Sequence, residues 1–78
     1  MEFCEWLKAQ ITMLGYTQRG FSSRVGIDES VMSRFISGER IPNTRMLIRI
    51  VLALGGKQRL FIQALKSLEK TYENKDES

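Results

Sequence analysis

Between Thr17 and Arg49 the chain carries six arginines, Arg19, Arg24, Arg34, Arg40, Arg45 and Arg49, against Asp28, Glu29 and Glu39, and no lysine. A guanidinium is planar, permanently charged and donates in a fixed fork that suits phosphate oxygens and guanine edges. A basic segment built only from arginine therefore favours a nucleic-acid partner. A solvated surface fits the same composition equally well. Other chemistry is scarce. With no histidine and a single cysteine, Cys4, almost nothing remains for a zinc site or for a nucleophile with its base. The expectation is a protein that is not an enzyme and uses no metal and no cofactor. Asp28 and Glu29, however, put two negative charges side by side within the basic stretch, at what reads as the start of a short helix.

The elements that must position these residues follow from apolar spacing. At 78 residues the chain is expected to form one domain, small enough to bury only about 60% of the surface that its unfolded state exposes. Phe3, Leu7, Ile11 and Leu14 repeat at helical intervals before Gly15, which predicts a first helix from Glu2 to Leu14 with those four in the core. Thr17 is suited to cap a second helix, Gln18 to Val25, with Phe21 and Val25 facing inward. Asp28 is suited to cap a third, which buries Met32 and Phe35 and ends at Gly38. Pro42-Asn43-Thr44 opens a fourth with Leu47, Ile50, Val51 and Leu54 on one face, closed by Gly55-Gly56. Phe61, Leu65, Leu68 and Tyr72, spaced four, three and four, predict a fifth from Lys57 to Tyr72. The domain is thus read as residues 1–72, and residues 73–78 as a polar tail that frays. No strand pattern, no repeat and no apolar run of membrane-spanning length is present, and Met1-Glu2-Phe3 lacks the basic start of a secretory signal. One unpaired cysteine fits a reducing, cytoplasmic setting.

Two short helices joined through a glycine turn form a helix-turn-helix unit. The stretch "LGYTQRGFSSRVGIDESVMSRFISGERIPNTRMLIRIVLALG", residues 14–55, resembles the phage-repressor and Cro-type (XRE-like) helix-turn-helix regulators of bacteria. The resemblance is carried by Thr17-Gln18, Phe21-Ser22, Gly26-Ile27 and the spacing of Met32, Phe35, Gly38 and Pro42. It implies an all-α, five-helix, lambda-repressor-like fold whose third helix enters the major groove of double-stranded DNA. It further implies that Glu29, Ser30, Ser33 and Arg34 face the bases, with Val31 beside them near thymine methyls. Gln18, Ser37, Arg40 and Asn43 match positions that hold the DNA backbone. For Gln18 and Asn43, helix capping or solvent exposure is the plainer alternative, and for Arg34 a weak surface ion pair.

Asp28 and Glu29 then take different expectations. Asp28 at the cap would accept backbone N–H groups. Glu29, where the family often has glutamine, would accept from a cytosine amino group and so select against other bases. Two departures from the family stand out. Gly20 lies inside the second helix, where a glutamate would complete a capping box. Ile11 and Ile36 occupy the positions of a family ion pair, an exchange of two charges for two apolar side chains that keeps either from being left buried alone.

The resemblance implies a repressor that binds an inverted repeat as a homodimer. The helix 5 stripe, Phe61, Leu65, Leu68 and Tyr72, belongs to the core or to a dimer interface. The alternative is an antitoxin-like protein that uses this fold to hold a protein partner. A bacterial or phage origin and a place on the nucleoid follow from either.

Overall fold

In the computed structural model, which describes residues 1–76, the chain forms α1 (Phe3–Met13), α2 (Gln18–Val25), α3 (Glu29–Ser37), α4 (Thr44–Ala53) and α5 (Gln58–Asp76), with no strand among the described residues. The boundaries are set by local hydrogen bonding. Thr17 Oγ1 accepts the Gly20 N–H at 3.0 Å, and Asn43 Oδ1 accepts the Met46 N–H at 2.8 Å. Each satisfies one of the backbone donors that a helix leaves free at its start. Asp28 behaves otherwise: it occupies the cap position of α3, but its carboxylate accepts no capping hydrogen bond. Its backbone carbonyl takes the Val31 and Met32 N–H groups instead.

The core is shared by all five helices. Phe3, Leu7, Phe21, Met32, Phe35, Ile50 and Val51 are fully buried, and Leu54 joins them as its spacing predicts. Ser22, small and buried, sends its hydroxyl to the Gln18 carbonyl at 2.7 Å. At α1 the expected face is corrected by one residue. Leu14 is 51% exposed because the helix stops at Met13, and Trp6 is buried in its stead, its Nε1 donating to Gln63 Oε1 at 3.1 Å.

The correction at α5 is larger. The buried side consists of Leu60, Ala64, Ser67, Leu68 and Thr71, while Leu65 and Tyr72 stand 58% and 51% exposed and Phe61 is half-buried. Small residues let the N-terminal end of α1 dock here. Thr71 Oγ1 accepts the Phe3 N–H at 3.0 Å and donates to the Ser67 carbonyl at 2.9 Å. The Ser67 hydroxyl donates to the Ala64 carbonyl at 2.7 Å. Hydroxyls that bond back to their own helix can be buried without an orphaned donor. A pattern of large apolar residues cannot show this. The helix also continues four residues beyond the expected end at Tyr72, through Asp76; the remainder of the expected tail, Glu77 and Ser78, lies outside the described residues.

The α1–α5 contact yields a direct test. Thr71→Val keeps the shape but leaves the buried Phe3 N–H without its acceptor, at an expected cost of about 1–3 kcal/mol. Thr71→Ser retains the hydroxyl and loses less. In urea titrations the Thr71→Val midpoint falls at unchanged slope, and equal losses for the two variants would show that the hydrogen bond is not what matters.

Candidate nucleic-acid interface

α2 and α3 meet at Gly26-Ile27-Asp28. Gly26 adopts the left-handed conformation, φ 86°, and its N–H and that of Ile27 both reach the Ser22 carbonyl, at 2.9 and 3.1 Å. Only glycine takes such a φ without a Cβ penalty. A second constraint comes from α4, where the Arg49 Nη2 donates to the Val25 carbonyl at 2.7 Å. A Cβ at Gly26 would lie 2.7 Å from that same nitrogen. Arg24 returns the contact in the other direction, its Nε donating to the Ala53 carbonyl at 3.0 Å while its guanidinium lies 5.8 Å from the Tyr16 ring centre. Each arginine thus satisfies a carbonyl at the negative end of the other's helix, which is where a cation is favoured. Together they clamp α2 to α4.

With α2 held in this way and Met32 and Phe35 pinning α3 to the core, the opposite side of α3 is left to solvent. Glu29, Ser30, Ser33, Arg34 and Ser37 are all exposed. Their offsets of one, four, five and eight residues from Glu29 place them on one helical face. The structure therefore gathers the four expected base-facing side chains on one surface. Val31 borders it, half-buried.

The expected backbone-contacting residues are less uniform. Gln18 is half-buried and borders a cavity of about 160 Å³ together with Ile11 and Ile36. The Ser37 hydroxyl donates to the Arg34 carbonyl at 3.1 Å and accepts the Glu39 N–H at 3.4 Å. Arg40 places its guanidinium 5.9 Å from the centre of the Phe35 ring, with its own N–H on the Arg34 carbonyl. Asn43 spends its carbonyl oxygen on capping α4 and retains its amide N–H groups. On α5, Leu68 belongs to the core, whereas Leu65 and Tyr72 face an open groove of about 660 Å³ that begins at Pro42 and Asn43.

Sequence reasoning missed three arginines. Nothing in the spacing of Arg24 and Arg49 marks them as ligands of carbonyls 29 and 24 positions away. Arg19 entered only as a charge, yet its Nε lies 3.5 Å from Glu29 Oε1. A cation in the first turn of α2 and an anion in the first turn of α3 were the available signal for that pair.

A model of the helix-turn-helix family matches residues 7–58. The chain belongs to the XRE-like helix-turn-helix family. It is accordingly a DNA-binding regulator of the XRE type. No curated protein and no solved structure gives a significant match. The matched span of this helix-turn-helix protein starts within α1 and stops at Gln58, the first residue of α5. Nearly all of α5, including its exposed Leu65 and Tyr72, lies beyond it.

The clamp predicts a coupled cost. Gly26→Ala forces a side chain into the left-handed region, worth about 1–2 kcal/mol, and also meets Arg49. In an Arg49→Met background the second penalty disappears. The four-way denaturation cycle should show coupling of roughly 1 kcal/mol; the same Gly26→Ala cost in both backgrounds would mean that the guanidinium does not occupy that space.

Proposed function

We propose that the protein is a sequence-specific transcriptional repressor that places α3 in the major groove of an inverted-repeat operator and binds as a homodimer. The observation that carries this reading is the exposed polar face of α3, with Glu29, Ser30, Ser33 and Arg34 opposite the buried Met32 and Phe35. Arg34 suits guanine O6 and N7, Glu29 suits the cytosine amino group, and the two serines can donate or accept. In this reading Gln18, Ser37, Arg40 and Asn43 hold the sugar-phosphate backbone, which fixes register and carries no sequence information directly.

The dimer follows from the small contact surface. One module of this size offers few base contacts, and two-fold symmetric pairs reading half-sites about one helical turn apart supply the rest. The exposed Leu65 and Tyr72 of α5, with the half-buried Phe61, offer an apolar surface for it. Repression is then the simplest outcome: a bound dimer occupies promoter DNA that polymerase requires. Such a protein acts in the bacterial cytoplasm, on the nucleoid or on phage DNA. The groove between α4 and α5, about 660 Å³ and lined by Leu47, Leu65 and Tyr72, favours a second reading, an antitoxin-like protein that holds another polypeptide. Copurification of a stoichiometric partner distinguishes it.

Arg34→Ala and Arg40→Ala separate base reading from positioning. On a duplex selected from a random pool, Arg34→Ala should relax the preference at one base pair by roughly 1–3 kcal/mol. Arg40→Ala should weaken binding to all duplexes alike and reduce the slope of log K against log salt by about 1. Uniform losses for both would remove Arg34 from the reading face.

A further inference from the structure

We propose that Arg19 is a specificity-determining residue of the DNA interface: it bridges a backbone phosphate and the Glu29 carboxylate, and so aims that carboxylate at a cytosine amino group. The inference rests on the docking of α3 proposed above. Arg19 is the second residue of α2 and Glu29 the first of α3, and their side chains meet across the turn through Nε and Oε1, at 3.5 Å. This is the one ion pair among the described residues.

Stability does not account for it. The two side chains are 87% and 45% exposed, and pairs so open to water contribute little to folding. Helix chemistry also disfavours a cation at this place, since Arg19 sits at the positive end of α2, in a first turn that holds no acid to offset it. The placement makes sense at a surface that meets a polyanion.

The atoms engaged leave the right ones over. Contact through Nε leaves both terminal amino groups of Arg19, and contact through Oε1 leaves Oε2 of Glu29. Arginine donates five N–H bonds in a rigid fork, so its terminal edge can take a phosphate while Nε keeps the carboxylate. Lysine, a single point of charge on a flexible stem, cannot hold both in fixed geometry. Without Arg19, the Glu29 charge would feel phosphate repulsion over about 10 Å at 0.1 M salt and swing toward solvent. With Arg19, the pair is locally neutral and the carboxylate stays on the base edge. Arg19 thereby converts a repulsive group into one that penalises any base lacking the amino donor.

The test uses the highest-affinity duplex selected from a random pool and its single base-pair replacements, measured over a salt series. The proteins are wild type, Arg19→Ala, Arg19→Lys, Glu29→Gln, the Arg19→Ala/Glu29→Gln double variant and Arg34→Ala, each checked for an unchanged thermal midpoint. Arg19→Ala should lower the salt slope by about 1 on every duplex. It should also reduce discrimination roughly fivefold or more at the cytosine pair that Glu29→Gln affects, and at no other. Arg19→Lys should restore the slope but not the discrimination. In the Glu29→Gln background, Arg19→Ala should change the slope alone. If Arg19→Ala leaves discrimination at that pair intact, or changes it equally in the Glu29→Gln background, the bridge is overturned, and α3 keeps its reading role provided Arg34→Ala still relaxes a base preference. If neither Arg34→Ala nor Glu29→Gln alters any base preference, the docking of α3 fails and the bridge fails with it.

Discussion

Arg49 reaches from α4 to the carbonyl of Val25, the last residue of α2, and its Nη2 stands 2.7 Å from that oxygen. The geometry of the helix-turn-helix depends on this contact. It ends α2 at a fixed place, fills the space beside Gly26 so that the turn tolerates no side chain, and ties the turn to α4, whose own apolar face is fully committed to the core. Arg24 closes the loop from the other side by holding the end of α4. Since Ile50 and Val51 are buried next to Arg49 in the chain, the clamp is anchored on the core. The direction in which α3 presents its polar face is a consequence of that anchoring, because α3 begins three residues after Gly26.

The same contacts change the meaning of the basic segment. Six arginines counted from composition suggest six ligands for phosphate, but Arg24 and Arg49 are engaged with backbone carbonyls and Arg40 lies against Phe35. Arg34 is exposed on the outward face of α3, and Arg19 stands beside Glu29. Arg45 is exposed on α4, so the unpaired charge of α3 itself is that of Arg34, while at the start of the helix Arg19 offsets Glu29. The acids at the start of α3 fit this picture in different ways. Asp28 supplies a backbone turn and no side-chain cap, while Glu29 finds its counterion on the neighbouring helix.

Much of the fold was legible because three of the five helices, α2, α3 and α4, carry local punctuation that matches their apolar period. Thr17, Gly26, Gly38 and Asn43 act at the positions where capping chemistry requires them. The polar face of α3 was legible for the same reason: once Met32 and Phe35 are inside, periodicity puts Glu29, Ser30, Ser33 and Arg34 outside. What could not be read depends on partners distant in sequence. The side of α5 that is buried is decided by Thr71 receiving the Phe3 N–H across 68 positions, so Ala64 and Ser67 face inward and the larger Leu65 and Tyr72 do not. Leu14 failed as a core residue for a local reason, the stop at Met13, and Trp6 succeeded because Gln63 on α5 satisfies its indole. The carbonyl ligands of Arg24 and Arg49 and the cavity shared by Gln18, Ile11 and Ile36 likewise exist only after the helices have packed.

Chemical interference on the bound duplex tests whether the outward face of α3 lies in the major groove, as proposed. Methylation of guanine N7 marks the major groove, whereas methylation of adenine N3 marks the minor groove. N7 methylation should block binding in two patches with centres about 10 bp apart, or a multiple of that, while N3 methylation within those patches has little effect. Interference confined to adenine N3, with guanine N7 tolerant throughout the footprint, would contradict it.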